Sequence, residues 1–172
     1  LMEAGWLARP ELPLEKFNEQ RVDFRRVIPW RMEQLRKAFA GYQAKASATK
    51  KNEVNAWCES QKYWLEDYAI FMALFNASGF QPFWLWDMAL IKREPAAMQL
   101  AREQHADEMH FWQFVQWCFD TQCAALKSYA NKKGVLIMGD LPIFIADNSA
   151  DCWSRPDLYY LDEKFQPSVV AG

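Results

Sequence analysis

The chain has 172 residues, 51% of them hydrophobic, with 20 Lys and Arg set against 22 Asp and Glu for a formal net charge of −2. That length can bury one sizeable core, so a single domain or a large piece of one is expected. The mildly acidic balance argues against a nucleic-acid partner, because such binders cluster basic residues on their surface.

The longest apolar run, Tyr68 to Phe75, falls far short of the ~20 residues a membrane-spanning helix needs. The first ten residues, LMEAGWLARP, carry Glu3 where an export signal would carry positive charge, so a cytoplasmic location is expected. Cys58, Cys118, Cys123 and Cys152 form no C-x-x-C pair, which suits reduced thiols rather than a zinc or disulfide framework. A start without Met and an end in VVAG lead us to expect a fragment. Nine Trp, twelve Phe and six Tyr make up 16% of the chain. They suit either an aromatic helical core or platforms for sugar rings, and their helical spacing favours the core.

In chain order, GWLARPELPL at 5–14 holds two prolines and a glycine and reads as a connector. Asp23 can cap a short first turn, with Pro29 at the first position of the main helix. There Ile28, Met32, Leu35 and Phe39 form an apolar stripe, and Gly41 is the expected C-cap. Residues 44–53 are small and polar, an exposed loop or a helix start. A second helix is expected from about Asn55 to Asn76, with Trp57, Trp64, Tyr68, Phe71, Met72 and Phe75 on one face and Gly79 closing it. After the aromatic connector FQPFWLW, Asp87 and Glu94-Pro95 start two short helices.

The longest helix is expected from Asp107 to Asn131. Phe111, Val115, Cys118, Gln122, Ala125 and Tyr129 fall at steps of three and four, widened by Phe114, Phe119 and Leu126. Lys132 and Lys133 suit its negative end, and Gly134 stops it. Val135 to Asp140 then reads as a short strand buried on both faces. Helix, glycine, apolar strand and polar loop is the αβ step of a parallel sheet, whose strand ends carry the chemistry. Asp140 and the loop to Trp153 are therefore the best site candidate.

Other chemistries find little support. His105 and His110 lie five residues apart, about 140° around a helix, and do not share a metal easily. No phosphate-cradling glycine motif and no nucleophile elbow occurs. Paired carboxylates remain. Asp140, Asp147 and Asp151 lie near one strand end, and two carboxyls about 5 Å apart could run a retaining glycosidic reaction. For Asp147 and Asp151 a local turn role is the simpler reading.

The segment GDLPIFIADNSADCW at 139–153 resembles the hallmark of the amylomaltases, the 4-alpha-glucanotransferases also called disproportionating enzymes. AGWLARPEL, WLEDYAIFMALF, FWLW, FWQFVQW, LKSYANKKGVLIMGDLPIF and the closing Pro167…VVAG follow in family order. The resemblance implies an α/β fold, a partial (β/α)8 TIM barrel made mostly helical by the family's helical insertion, with strand three at 135–140. Residues 1–14 would be a barrel connector and 15–110 the helical insertion subdomain. Residues 111–172 would supply a barrel helix, strand three and the active-site rim.

It also implies an enzyme that cuts an α-1,4-glucan and passes the piece to another glucan or to glucose, with retention through a glycosyl-aspartate. Neither a metal nor an organic cofactor is implied. The nucleophile and acid/base would lie beyond residue 172, leaving no catalytic residue in this chain. Asp140, Asn148, Ser149, Asp151 and Trp153 match active-site or substrate-binding positions, and malto-oligosaccharides, glucose and the remainder of its own barrel are the implied partners. Two departures are Asp147, where many relatives have His, and Cys123, where Trp is common. Read without the resemblance, the same sequence also fits a free-standing aromatic-rich helical module that binds carbohydrate or a partner helix.

Overall fold

A computed structural model describes residues 1–8, 20–140 and 142–169. Most of the 5–14 connector, Leu141 and the last three residues of VVAG lie outside the described residues. The chain divides into two compact units, 1–57 and 58–172. That division falls inside the 15–110 segment, whereas position 110/111 falls inside one continuous helix.

In the first unit, helix α1 spans Phe24–Lys45. The Asp23 carboxylate accepts from the Arg25 N–H at 3.1 Å, which caps the helix five residues before the expected start. Pro29 therefore sits inside α1 and not at its first position. It removes a single backbone bond close to the helix start. Gly41 does not end the helix either. A Cβ there would lie 1.9 Å from the Trp6 carbonyl oxygen, so glycine lets the backbone of Trp6 lie against α1. Trp6 and Tyr42 are buried, edge to face, with centroids 5.2 Å apart.

Helix α2 spans Ala48–Ser60, so the polar 44–53 stretch is a helix start. Ser47 Oγ accepts from the Lys50 N–H at 3.2 Å, satisfying one of the donors a helix start leaves open. The single helix expected over 55–76 is in fact two. Gln61, at φ −102° and ψ 6°, separates α2 from α3, Lys62–Ala77.

In the second unit α3 packs against the later helices. Its buried positions are Leu65, Ala69, Ile70, Phe71, Ala73 and Leu74. Of the expected aromatic face only Phe71 is buried, and Trp64, Tyr68 and Phe75 are half-buried. Small and aliphatic residues occupy the centre of the contact, and large rings fill its margins. Asp87 caps α4, Met88–Ile91, accepting from the Ala89 N–H at 2.9 Å, and Pro95 opens α5, Pro95–Gln104, both as expected.

The longest helix, α6, covers Ala106–Lys132, with acidic residues in its first turn and Lys132 in its last. Glu108 accepts from Asn76 Nδ2 at 2.7 Å and from Trp112 Nε1 at 3.0 Å, linking α3 to α6. Burial along α6 stops at Cys118. Phe119, Leu126 and Tyr129 are exposed although they continue the apolar pattern. Gly134, at φ +73°, closes α6. Its N–H bonds the Asn131 carbonyl, and that of Val135 reaches Ala130, both at 3.0 Å.

The strand expected at 135–140 is not formed. No strand exists among the described residues, whose one isolated bridge joins Leu161 to Pro167. Leu136 and Met138 are 87% and 95% exposed. A parallel strand needs flanking strands for its N–H and C=O groups, and no described segment supplies one. The apolar run keeps strand composition without strand pairing.

Candidate functional site

The candidate site begins where the apolar run ends. Asp140 is exposed, and so is every residue from Pro142 to Asp147. The polar residues after it bond locally first. Asp147 Oδ1 accepts from the Asn148 N–H at 2.9 Å, which fits a turn residue. Ser149 caps the short helix α7, Ala150–Ser154, its Oγ accepting from the Cys152 N–H at 3.2 Å. Asp151 stands exposed in the first turn of α7, where a carboxylate complements the helix dipole.

Two side chains of this loop reach far. Asn148 Oδ1 accepts from the backbone N–H of Phe83 at 3.1 Å. Trp153, 1% exposed, donates from Nε1 to the Leu90 carbonyl at 3.0 Å. Its ring packs with Phe71 and Trp86, centroids 5.9 and 5.7 Å away, and the Arg93 guanidinium carbon lies 4.3 Å from the ring centre. Arg93 also pairs with Asp67 of α3.

Ser149, Asp151 and Trp153 are thus brought together on α7 and its cap, with Asn148 just before them. The sequence marks FQPFWLW as an aromatic connector but does not show that the stretch 83–93 receives these residues. Nothing local could have shown this docking, because Leu90 and Phe83 contribute backbone groups and Arg93 meets its partner ring sixty positions later.

Beside the loop lies a groove of about 780 Å³, with Ile143, Phe144, Leu158, Tyr160 and Val169 among its lining. Among the described residues Asp147 is the one carboxylate that lines it, and Asp140 does not. A retaining glycosidase needs two carboxyls about 5 Å apart. The groove therefore offers apolar surface and hydrogen-bonding groups, without an acid/base pair.

Among the described residues no group of three or more His, Cys, Asp or Glu is arranged to hold a metal. All four cysteines are free. Burial pushes the Cys58 thiol up to about 11 and the Cys118 thiol up to about 12, and raises that of Cys152. These are packing thiols rather than nucleophiles. No helix of the described residues is long and apolar enough to cross a membrane.

Comparison with known proteins gives one consistent answer. A family model described as 4-alpha-glucanotransferase matches residues 1–170. The 4-alpha-glucanotransferase of Thermus thermophilus is 42% identical over 156 residues, covering 91% of this chain and 31% of that protein. The Synechocystis sp. enzyme of the same name is 34% identical over 157 residues, covering 91% and 31%. Among solved structures, the amylomaltase from Streptococcus agalactiae in complex with acarbose superposes with a TM-score of 0.80 at 32% identity. The match covers 88% of this chain and 30% of that one. The chain thus spans about a third of the length of the relatives it matches. Matched almost from end to end, it belongs to the 4-alpha-glucanotransferase family.

Proposed function

We propose that this chain is the part of a 4-alpha-glucanotransferase that lies at the rim of its active site. The whole protein transfers α-1,4-glucan chains between malto-oligosaccharides and releases glucose. Configuration is retained through a covalent glycosyl-enzyme, whose nucleophile and acid/base are supplied by segments other than residues 1–172. The one observation that carries this reading is the unbroken family match over residues 1–170. The acarbose bound by the Streptococcus agalactiae amylomaltase supports a carbohydrate ligand.

Within that protein, Asp140 ends the third strand of a (β/α)8 barrel, and Asn148, Ser149, Asp151 and Trp153 form a loop at its mouth. The exposed Val135, Leu136, Met138, Ile143 and Phe144 support the barrel, since so long an apolar run suits a surface awaiting cover by the rest of the fold. The same exposure disfavours a free-standing helical module. The protein works on maltodextrins in the cytoplasm, needs no cofactor, and takes glucose and glucans as acceptors.

The test is to incubate the full-length protein with maltotriose. Glucose together with longer maltodextrins is expected, the new linkages being α-configured. Hydrolysis alone, or no reaction, would overturn the proposal.

A further inference from the structure

Arg93 turns the chain from α4 into α5 at φ +55°, in the left-handed region that favours glycine. Its N–H bonds the Leu90 carbonyl at 3.1 Å, and the Glu94 N–H bonds Ala89 at 2.8 Å, the bonding of a helix end that usually carries glycine here. Its Nη1 is buried with no hydrogen-bond partner among the described residues. Two local costs thus meet at one arginine. Strain of this kind persists where surrounding contacts over-determine it.

The compensating contact is Trp153. The guanidinium lies over the indole face, while Nη2 pairs with Asp67 in α3. A flat guanidinium can cover a ring and donate in its own plane, which an ammonium does less well. The edge of the same indole is held too. The Leu90 carbonyl accepts from Trp153 Nε1 at 3.0 Å as well as from the Arg93 N–H. Asn148, next to the cap residue of α7, is tied to Phe83 at the other end of the connector.

We propose that Arg93 is a positioning residue. It clamps Trp153 against the α4–α5 turn and thereby fixes the loop Asn148–Ser154, so that the α3–α5 helices set how firmly the rim holds a glucan. The proposal rests on the reading of this loop as part of the transferase rim. Arg93 acts through Trp153 and does not itself meet the sugar.

The test uses the full-length protein with Arg93→Met, Arg93→Lys and the control Arg102→Met, which removes the ion pair of Arg102 with Glu66 between α5 and α3. Amide exchange over 148–154 is read by mass spectrometry, and KM and kcat for maltotriose are measured alongside. For Arg93→Met, exchange and KM should both rise about fivefold to tenfold, the scale of one desolvated cation–π contact, with kcat within about twofold. Arg93→Lys should recover only part of the loss, because an ammonium covers the ring and donates in plane less well, and Arg102→Met should move neither reading. Unchanged exchange in Arg93→Met, or changes no larger than in Arg102→Met, overturns the clamp. Faster exchange at constant KM overturns the positioning role. Should Arg93→Met not fold, wild-type exchange and KM in Arg93→Lys overturn the proposal, and partial rises in both support it. A wild-type protein that transfers nothing from maltotriose instead refutes the transferase reading, and the exchange data then decide the clamp alone.

Discussion

A Cβ placed on Gly41 would stand 1.9 Å from the carbonyl oxygen of Trp6, closer than any side chain tolerates. The obstacle is backbone, which cannot swing aside as a flexible side chain could. Gly-to-Ala inside a helix ordinarily stabilises by about 1 kcal/mol. In Gly41→Ala the clash should reverse the sign and destabilise the first unit by about 2–3 kcal/mol. Urea unfolding followed by circular dichroism measures this, and a variant as stable as wild type would show that Trp6 does not lie against α1.

Trp153 combines full burial with a hydrogen bond at its edge and a cation on its face. Trp153→Ala should cost about 3–5 kcal/mol of stability, as large core truncations do. Trp153→Phe keeps most of the ring and removes one of the two hydrogen bonds to the Leu90 carbonyl, which still accepts from the Arg93 N–H, so a smaller loss of about 1 kcal/mol is expected. Equal losses in the two variants would mean that packing at this ring contributes nothing beyond the hydrogen bond.

Asp140 is exposed, and so are the described residues on either side of it. Asp140→Ala is to be made in the full-length protein, with the thermal midpoint measured alongside to confirm that the variant is folded. Glucose release from maltotriose should fall at least about tenfold, in line with the loss of one preorganised group near the reacting centre. Near-normal turnover would remove Asp140 from the site.

The buried thiols give stability a dependence on alkaline pH. Burial pushes Cys58 up to about 11 and Cys118 up to about 12, against about 8.5 for an unfolded cysteine. Above the ordinary value the unfolded chain has lost protons that the folded chain still holds. Stability then falls as pH rises. The contribution is intact below about pH 8 and shrinks steadily toward pH 11. Comparing wild type with Cys118→Ala at pH 7, 9 and 10.5 isolates the thiol from lysines and tyrosines. The variant should lose less stability across this range, and parallel curves would refute the assignment.

Caps were legible in the sequence because they act within a few residues. Asp87, Pro95, Gly79 and Gly134 each mark the helix end expected of them, while Asp23 caps the main helix where only a short first turn was expected. Where a residue serves a distant partner, local reading misassigned it. Gly41 looked like a stop signal and is a point of close approach. The rings of α3 looked like its buried face, yet small residues hold the centre, because which stripe is buried depends on what packs against it. The polar character of 147–151 was visible, but not that Asn148 would fasten to Phe83, nor that Trp153 would lie beneath Arg93.

By itself, then, the sequence determined what depends on near neighbours and on residue order: most of the helical segments, several of their ends, and membership of a transferase family. The tertiary structure alone decided which faces are covered, how the α7 loop is fastened, and that Val135 to Asp140 forms no strand. A helix closes its hydrogen bonds within itself, whereas a strand, like a buried ring, is completed only by groups brought from elsewhere in the chain.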